Sequence, residues 1–340
     1  MEAKFILSKK KVLEQVNFLE NIGLKISYSY KTNKEVGNVL EDYSKVDFSI
    51  HAKEELEMIG DKSRIWFFTQ AESKKELEDI LNKGVKRFVV DNEVDLGRLL
   101  EVIERLRIKI ILSLRMKFQE HRIGTGKYFV YGLGSEKVNL FINELSKNEF
   151  ISKLGVHIHR KSQNTSEWEI VSEIEDSLGK VLDKVDFINL GGGLPIEYRG
   201  YSSNILEYVF EKLKETKDFL DGKKIETFIE PGRFIAGPGI KLVTEIIQIY
   251  DRNLILNTSI YNCALDCILT GTKMLVEDEL EEGRDFLIKG NSPTRDDIFR
   301  YNVKLDNLSV GDLIVFLNAG AYNYATDFFG YKKLETEIVD

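Results

Sequence analysis

The chain has only two cysteines and four prolines in 340 residues. Cys263 and Cys267 make no disulfide framework, and two thiols alone do not complete a zinc site. No Pro-rich linker, internal repeat or low-complexity stretch interrupts the sequence, so two domains, if present, should pack closely. No apolar run approaches the ~20 residues that cross a bilayer. The opening Met1-Glu2-Ala3-Lys4 lacks the charged, apolar and small-residue regions of a signal peptide. A basic excess is missing too. Lys and Arg number 48 against 56 Asp and Glu, and the net charge of −8 argues against a general nucleic-acid binder. Lys9-Lys10-Lys11 and Lys223-Lys224 read as solvated helix ends or turns. These absences point to a cytoplasmic enzyme with no membrane partner, and an apolar content of 43% supplies a sizeable core.

What is present is a regular alternation. Short runs rich in Ile, Val and Phe at 24–30, 45–51, 64–69, 86–91, 108–115, 153–160, 185–190 and 225–230 read as strands. Helical segments are expected between them at 34–42, 54–59, 73–83, 93–105, 135–146, 167–182 and 205–219. In 93–105, Val94, Leu96, Leu99, Leu100, Val102 and Ile103 trace one helical face. Eight strands separated by helices predict an α/β fold, a (β/α)8 TIM barrel, over residues 8–235. Beyond 236 the texture changes to strands at 239–250, 254–260, 285–288 and 312–316. This predicts a C-terminal β domain over 236–340, joined by a strand from residues 1–7.

A barrel enzyme carries its chemistry at the carboxyl ends of its strands. Those ends hold Lys31, Asp91, Arg115, His159, the triplet Gly191-Gly192-Gly193, and Glu230 with Arg233. Pyridoxal 5'-phosphate would use this set. Its aldehyde takes a lysine amine, which is reactive only when partly neutral. Its phosphate needs closely approaching backbone N–H groups, which a glycine triplet permits, and an arginine adds a bidentate contact. A carboxylate such as Glu230 keeps the pyridine nitrogen protonated, and His159 can stack on the ring. His157 shares its strand face with His159 and reads as a core or supporting residue. No third clustered ligand accompanies the two histidines, so a metal site is not expected.

Longer segments carry a resemblance. Tyr28-Ser29-Tyr30-Lys31-Thr32-Asn33 is similar to the Tyr-Ala-Val-Lys-Ala-Asn signature of fold-type III pyridoxal-phosphate decarboxylases, which include the ornithine, diaminopimelate and carboxynorspermidine enzymes. Gly155–Gln163 resembles their Gly-Leu-His-Phe-His-Ile-Gly-Ser-Gln. Asn189–Leu194 matches their glycine triplet, and Glu230-Pro231-Gly232-Arg233 their Glu-Pro-Gly-Arg. Gly320-Ala321-Tyr322 followed by Phe328-Phe329-Gly330 resembles their Gly-Ala-Tyr…Phe-Asn-Gly. The matches run in order along nearly the whole chain. The resemblance implies an alanine racemase-like barrel plus β domain, with Lys31 as the Schiff-base lysine and His159 stacked on the cofactor ring. It further implies that Ser162, Gly191, Gly192, Gly193, Arg233 and Tyr322 hold phosphate, that Glu230 meets the pyridinium, and that head-to-tail homodimers complete each site from both subunits.

Departures accompany it. The segment corresponding to the family's Gly-Pro-Thr-Cys-Asp reads Gly290-Asn291-Ser292-Pro293-Thr294-Arg295-Asp296-Asp297, without the cysteine that protonates the product. Asp296 and Asp297 are the acids left there to meet substrate. Lys161 replaces a glycine, and the usual Lys/Arg-Phe-Gly reads Val130-Tyr131-Gly132. The expected activity is removal of an α-carboxylate from an amino-acid group other than ornithine or diaminopimelate. One candidate is the 3-amino-3-carboxypropyl group on a peptidyl nucleotide, as in the decarboxylase domain of microcin C-type antibiotic biosynthesis. The alternatives are an amino-acid racemase on the same fold and a non-catalytic regulatory homologue.

Overall fold

The computed structural model describes residues 1–118, 131–201, 204–323 and 325–340. A first strand, β1 (Lys4–Ser8), leads into α1 (Lys9–Asn21), followed by β2 (Lys25–Ser29), α2 (Lys34–Tyr43), β3 (Asp47–Ile50), α3 (Lys53–Leu56), β4 (Ile65–Phe68), α4 (Lys74–Asn82), β5 (Arg87–Val90), α5 (Glu93–Leu106), β6 (Ile110–Arg115), α6 (Ser135–Leu145), β7 (Ile151–His157), α7 (Ile170–Leu178), β8 (Phe187–Asn189), α8 (Asn204–Gly222) and β9 (Glu226–Ile229). Strands β2 to β9 pair in sequence order, all parallel, and β9 closes on β2 through Lys25↔Phe228 and Ile26↔Ile229. This is the expected eight-stranded barrel.

The helix α1 is an addition to the sequence reading. Ser8 caps it by accepting from the Lys11 N–H at 3.3 Å, and Val12, Val16 and Leu19 form its buried stripe. The lysine triplet, read as a solvated helix end or turn, forms its first turn. On α5 the apolar face is narrower than expected: Leu96, Leu99, Val102 and Ile103 are buried, whereas Val94 is 62% exposed.

After β9, α9 (Arg233–Gly239) feeds directly into β10 (Ile240–Tyr250) and β11 (Asn253–Leu256). Two short helices, α10 (Ile260–Cys263) and α11 (Leu265–Thr270), precede β12 (Leu275–Val276), β13 (Arg284–Lys289), β14 (Ile298–Leu305), β15 (Leu313–Leu317) and β16 (Thr336–Val339). The second sheet runs β12-β15-β10-β11-β13-β14. Strand β1 branches off this path, pairing antiparallel with the first residues of the interior strand β10 and parallel with β16. The strand expected over 254–260 stops at Leu256, because Ser259 caps α10 by accepting from the Tyr261 N–H. The strands β12, β14 and β16 also lay outside the expected set.

Inside the barrel, Trp66, Phe187 and Phe228 pack edge to face with ring centroids 5.2–5.6 Å apart. Such bulk fits because β7 contributes Gly155: a Cβ there would lie 2.2 Å from the Phe187 ring. Gly155→Ala should therefore overpack the lumen and lower stability by about 1–3 kcal/mol. Thermal unfolding checks this, and the double variant Gly155→Ala/Phe187→Leu should recover part of the lost melting temperature.

Candidate active site

Along a strand every second residue faces the same side. Residues two positions beyond the aromatic layer therefore form a higher layer in the lumen. This layer is polar: Ser27, Ser49, Ser113, His157 and Asn189 are all buried, and Glu230 joins them from the end of β9. One position pair higher, at the carboxyl mouth, lie Ser29, His51, Arg115 and His159. They share a pocket with Lys31, Phe68, Ser162, Gly192, Gly193, Glu230, Arg233 and Tyr322. Eight of the eleven expected site residues thus line one cavity. Gly191 sits directly behind it, and Asp296 and Asp297 lie elsewhere.

Lys31 occupies the single turn Tyr30–Thr32 that follows β2. Asn33 ends that turn, caps α2 by accepting from the Val36 N–H, and donates through Nδ2 to the Gly320 carbonyl at 2.9 Å. The Tyr322 N–H in turn donates to the Thr32 carbonyl at 3.0 Å, so the lysine turn is bolted to the second sheet. The Lys31 side chain is open to the pocket yet walled by protein. That partial burial lowers its pKa, helped by Arg115 and opposed by Glu230 and Glu55.

Glu230 is 5% exposed and accepts three hydrogen bonds: from Ser49 Oγ at 2.8 Å, Asn189 Nδ2 at 2.9 Å and His157 Nε2 at 2.9 Å. Burial alone raises a carboxyl pKa. The charge and hydrogen bond of His157, the Ser49 hydroxyl and the nearby His51 outweigh it and hold Glu230 at about 2. Glu230 is consequently an anion throughout the physiological range. Among the described residues, the buried Nδ1 of His157 has no hydrogen-bond partner.

The glycine turn wraps around His159. Its Nδ1 accepts from the Gly192 N–H at 3.1 Å, which places its proton on Nε2. Gly191 has φ +68°, and a Cβ there would meet the Ile158 carbonyl at 2.2 Å. Gly193 has φ +101°, and its Cβ would meet the Lys161 carbonyl at 2.8 Å. No other residue type fits these two positions unstrained. Beyond the turn, Arg233 donates to Tyr198 Oη and Asp266 Oδ2, both at 2.9 Å, and to Ser162 Oγ at 3.3 Å. Its guanidinium also lies over the Tyr322 ring, 5.2 Å from the centroid. A pocket with a shielded carboxylate, a lysine and an arginine-glycine cradle fits the charges and shape of pyridoxal 5'-phosphate.

Asp297 is fully buried and spent on structure. It accepts from Ser259 Oγ, the Ile260 N–H and the Ser292 N–H at 2.8–3.0 Å. Asp296 beside it has a 67% exposed side chain against Arg295, and within this chain neither acid reaches the pocket. Among the departures, Tyr131 lies under Arg115 at 5.4 Å, and Val130 falls outside the described residues. Lys161 borders a neighbouring cleft that shares Ser162 and Arg233 with the pocket.

His157, expected as a core or supporting residue, is buried against Glu230, whereas His51, Phe68, Ser29 and the Glu230 partners Ser49 and Asn189 carry no role in the sequence alone. His51 was findable as the last residue of the 45–51 run, two beyond Ser49. Its ring stacks on Phe68 with centroids 4.5 Å apart. Burial, followed by the charges of Lys31, His157 and Arg115, lowers its pKa to about 3. Burial, Arg115 and His157 do the same for His159. Both imidazoles take up protons near 6.5 when unfolded but resist them when folded. The unfolded state therefore binds more protons between these values, and stability held above 6.5 is lost as the pH falls toward 3. The drop in apparent melting temperature between pH 7 and pH 4 should accordingly shrink in His51→Phe. An unchanged drop, measured on cofactor-free protein, would remove His51 from this balance.

Comparison with known proteins agrees with this geometry. A profile of the family described as "pyridoxal-dependent decarboxylase, pyridoxal binding domain" matches residues 9–237. The chain is 24% identical over 348 residues to a diaminopimelate decarboxylase of Pseudomonas fluorescens, covering 90% of this chain and 78% of that protein. It is also 24% identical over 282 residues to the Aquifex aeolicus protein of that name, covering 77% of this chain and 66% of the relative, about two thirds of its length. Among solved structures, diaminopimelate decarboxylase from Helicobacter pylori complexed with L-lysine superposes with a TM-score of 0.83 at 20% identity, covering 100% of this chain and 92% of that one. The chain belongs to the pyridoxal-dependent decarboxylases, a family of carboxy-lyases whose cofactor is pyridoxal 5'-phosphate.

Proposed function

We propose that this chain removes the α-carboxylate of an amino-acid group. In this reading residues 8–235 hold the cofactor, and residues 236–340 with strand 1–7 form the second domain of a cytoplasmic homodimer. The observation that carries the reading is Glu230, an anion held at about 2 in the same pocket as Lys31. When bound, pyridoxal 5'-phosphate supplies an aldehyde that takes an amine and a ring that accepts the electron pair left by the departing carboxylate. Glu230 holds a proton at the ring nitrogen, which makes that acceptance favourable. Lys31 offers an amine whose lowered pKa increases its neutral fraction. Neutral His159 would present its face to the ring, while Ser162, Gly192, Gly193, Arg233 and Tyr322 would hold the phosphate and Gly191 would set the turn behind them.

Glu230 also weighs against the racemase alternative, since racemases of this fold place an arginine near the ring nitrogen. A regulatory homologue without turnover has no need of an ionised Glu230 or of a lysine with a lowered pKa. For the substrate, Asp296 rather than Asp297 is the acid open to contact, reaching the site of the other subunit. The specific candidate is the 3-amino-3-carboxypropyl group of a peptidyl nucleotide, with a corresponding role in microcin C-type antibiotic biosynthesis. Its support is Lys161 and the cysteine-free loop Gly290–Asp297. Carbon-dioxide release from amino acids and from carboxypropyl-bearing nucleotides distinguishes these substrates directly.

Lys31→Ala should abolish the visible absorbance of bound cofactor and carbon-dioxide release while leaving the circular dichroism unchanged. Borohydride fixation of the cofactor to a different lysine would overturn the assignment. The product's proton has another origin than a thiol of this chain. Cys263 Sγ donates to the Ser259 carbonyl at 3.1 Å, burial pushes both thiols up, Cys267 to about 11, and neither lines the pocket. The double variant Cys263→Ser/Cys267→Ser should keep near-normal turnover. A general acid contributes ~10²–10⁴-fold, so a loss of ~100-fold without unfolding would place a thiol in the site.

A further inference from the structure

One buried side chain touches both halves of the pocket and belongs to neither. Asn189, 1% exposed at the end of β8, donates through Nδ2 to Glu230 Oε1 at 2.9 Å and accepts through Oδ1 from the Gly191 N–H at 2.9 Å. The orientation is forced. A flipped amide would turn its oxygen toward a carboxylate and its NH₂ toward an N–H, creating two repulsive contacts in place of two hydrogen bonds. Asn189 is also the end of a buried polar chain: Ser27 Oγ lies 2.7 Å from Ser49 Oγ, and Ser49 Oγ donates to the same Glu230 Oε1. The backbone supplies a parallel connection, since the Glu230 N–H donates to the Gly191 carbonyl at 2.8 Å. Gly191 stands at φ +68° with no room for a Cβ, so its amide direction is set by the group that accepts its proton.

We propose that Asn189 is a positioning residue that couples the carboxylate end of the cofactor site to its phosphate cradle. A single planar amide fixes the lobe of Glu230 and the pitch of the Gly191–Gly193 turn together. The inference rests on the reading of Glu230 as the ring-nitrogen partner and of the glycine turn as phosphate holder.

Two substitutions separate the two bonds. Asn189→Asp keeps an acceptor for the Gly191 N–H but replaces the donor to Glu230 with a second anion. Asn189→Ala removes both bonds, and Asn189→Leu, closer in shape, replaces it should alanine unfold the protein. The first measurement is the affinity of inorganic phosphate for cofactor-free protein, with displacement by pyridoxal 5'-phosphate showing that the two share a site. Asn189→Ala should bind phosphate ~10-fold more weakly, as expected for a lost charge-independent hydrogen bond of typical strength, whereas Asn189→Asp stays within ~2-fold of wild type. The second measurement is the pH dependence of the absorbance of bound pyridoxal 5'-phosphate. Asn189→Asp should move its midpoint by about one unit or more through the added anion, and Ser27→Ala should change neither readout by a comparable amount. Coupling through Asn189 is overturned if Asn189→Ala binds phosphate like wild type, or if the aspartate and alanine variants lose phosphate affinity equally. Failure of wild-type protein to bind phosphate in competition with the cofactor would instead overturn the reading of the pocket.

Discussion

An ionised carboxylate sealed in a protein interior is the constraint around which this barrel is organised. Removing an unpaired charge from water costs many kcal/mol, so a buried anion survives only with donors on its lone pairs. Glu230 obtains them from three strands at once: Ser49 on β3, His157 on β7 and Asn189 on β8. These strands are distant in sequence and become neighbours of one point only when the barrel closes. The polar layer is thus a consequence of closure and a reason for it. A slip of one residue in any of the three strands would turn a donor outward and leave the charge exposed to a low dielectric.

Below that layer the Trp66, Phe187 and Phe228 cluster blocks the lumen, and above it the mouth opens to Lys31 and Arg233. The turn that carries Lys31 gains its rigidity from the second sheet, through Asn33 to Gly320 and Tyr322 to Thr32. The site is consequently a joint product of two architectures. The barrel sets charge and burial, and the sheet sets where the lysine backbone stands.

Much of this was legible in the sequence because a closed parallel barrel leaves strong marks. Its strands are short apolar runs, and their ends carry the reactive groups, so all eight strands and the pocket residues Lys31, Arg115, His159, Glu230 and Arg233 could be read from them, with Ser162 and Tyr322 added by the family resemblance. The helix α1 was obscured because its first turn is three lysines, which mask a Val12-Val16-Leu19 stripe of ordinary helical spacing. The strands β12, β14 and β16 were lost for a different reason. β12 is only two residues long, β14 is interrupted by Arg300, Tyr301 and Asn302, and β16 has no buried residue, so none shows the apolar run of a strand buried on both faces. His51 escaped because it belongs to no motif, and the role of Asn189 because its motif draws attention to the glycines that follow it. Their importance lies in what stands two residues away and across the lumen, which composition does not record.

The loop from Gly290 to Asp297 has its shape fixed from within. Asp297 gathers Ser259, Ile260 and Ser292, and Gly290 leaves the space that its carboxylate fills. The exposed side chains of the tip, Arg295 and Asp296, contribute nothing to that frame. Scaffold and tip are therefore separable. Residues at the tip can be exchanged over evolution, or by design, without refolding what holds them, while the electrostatics around Glu230 remain untouched.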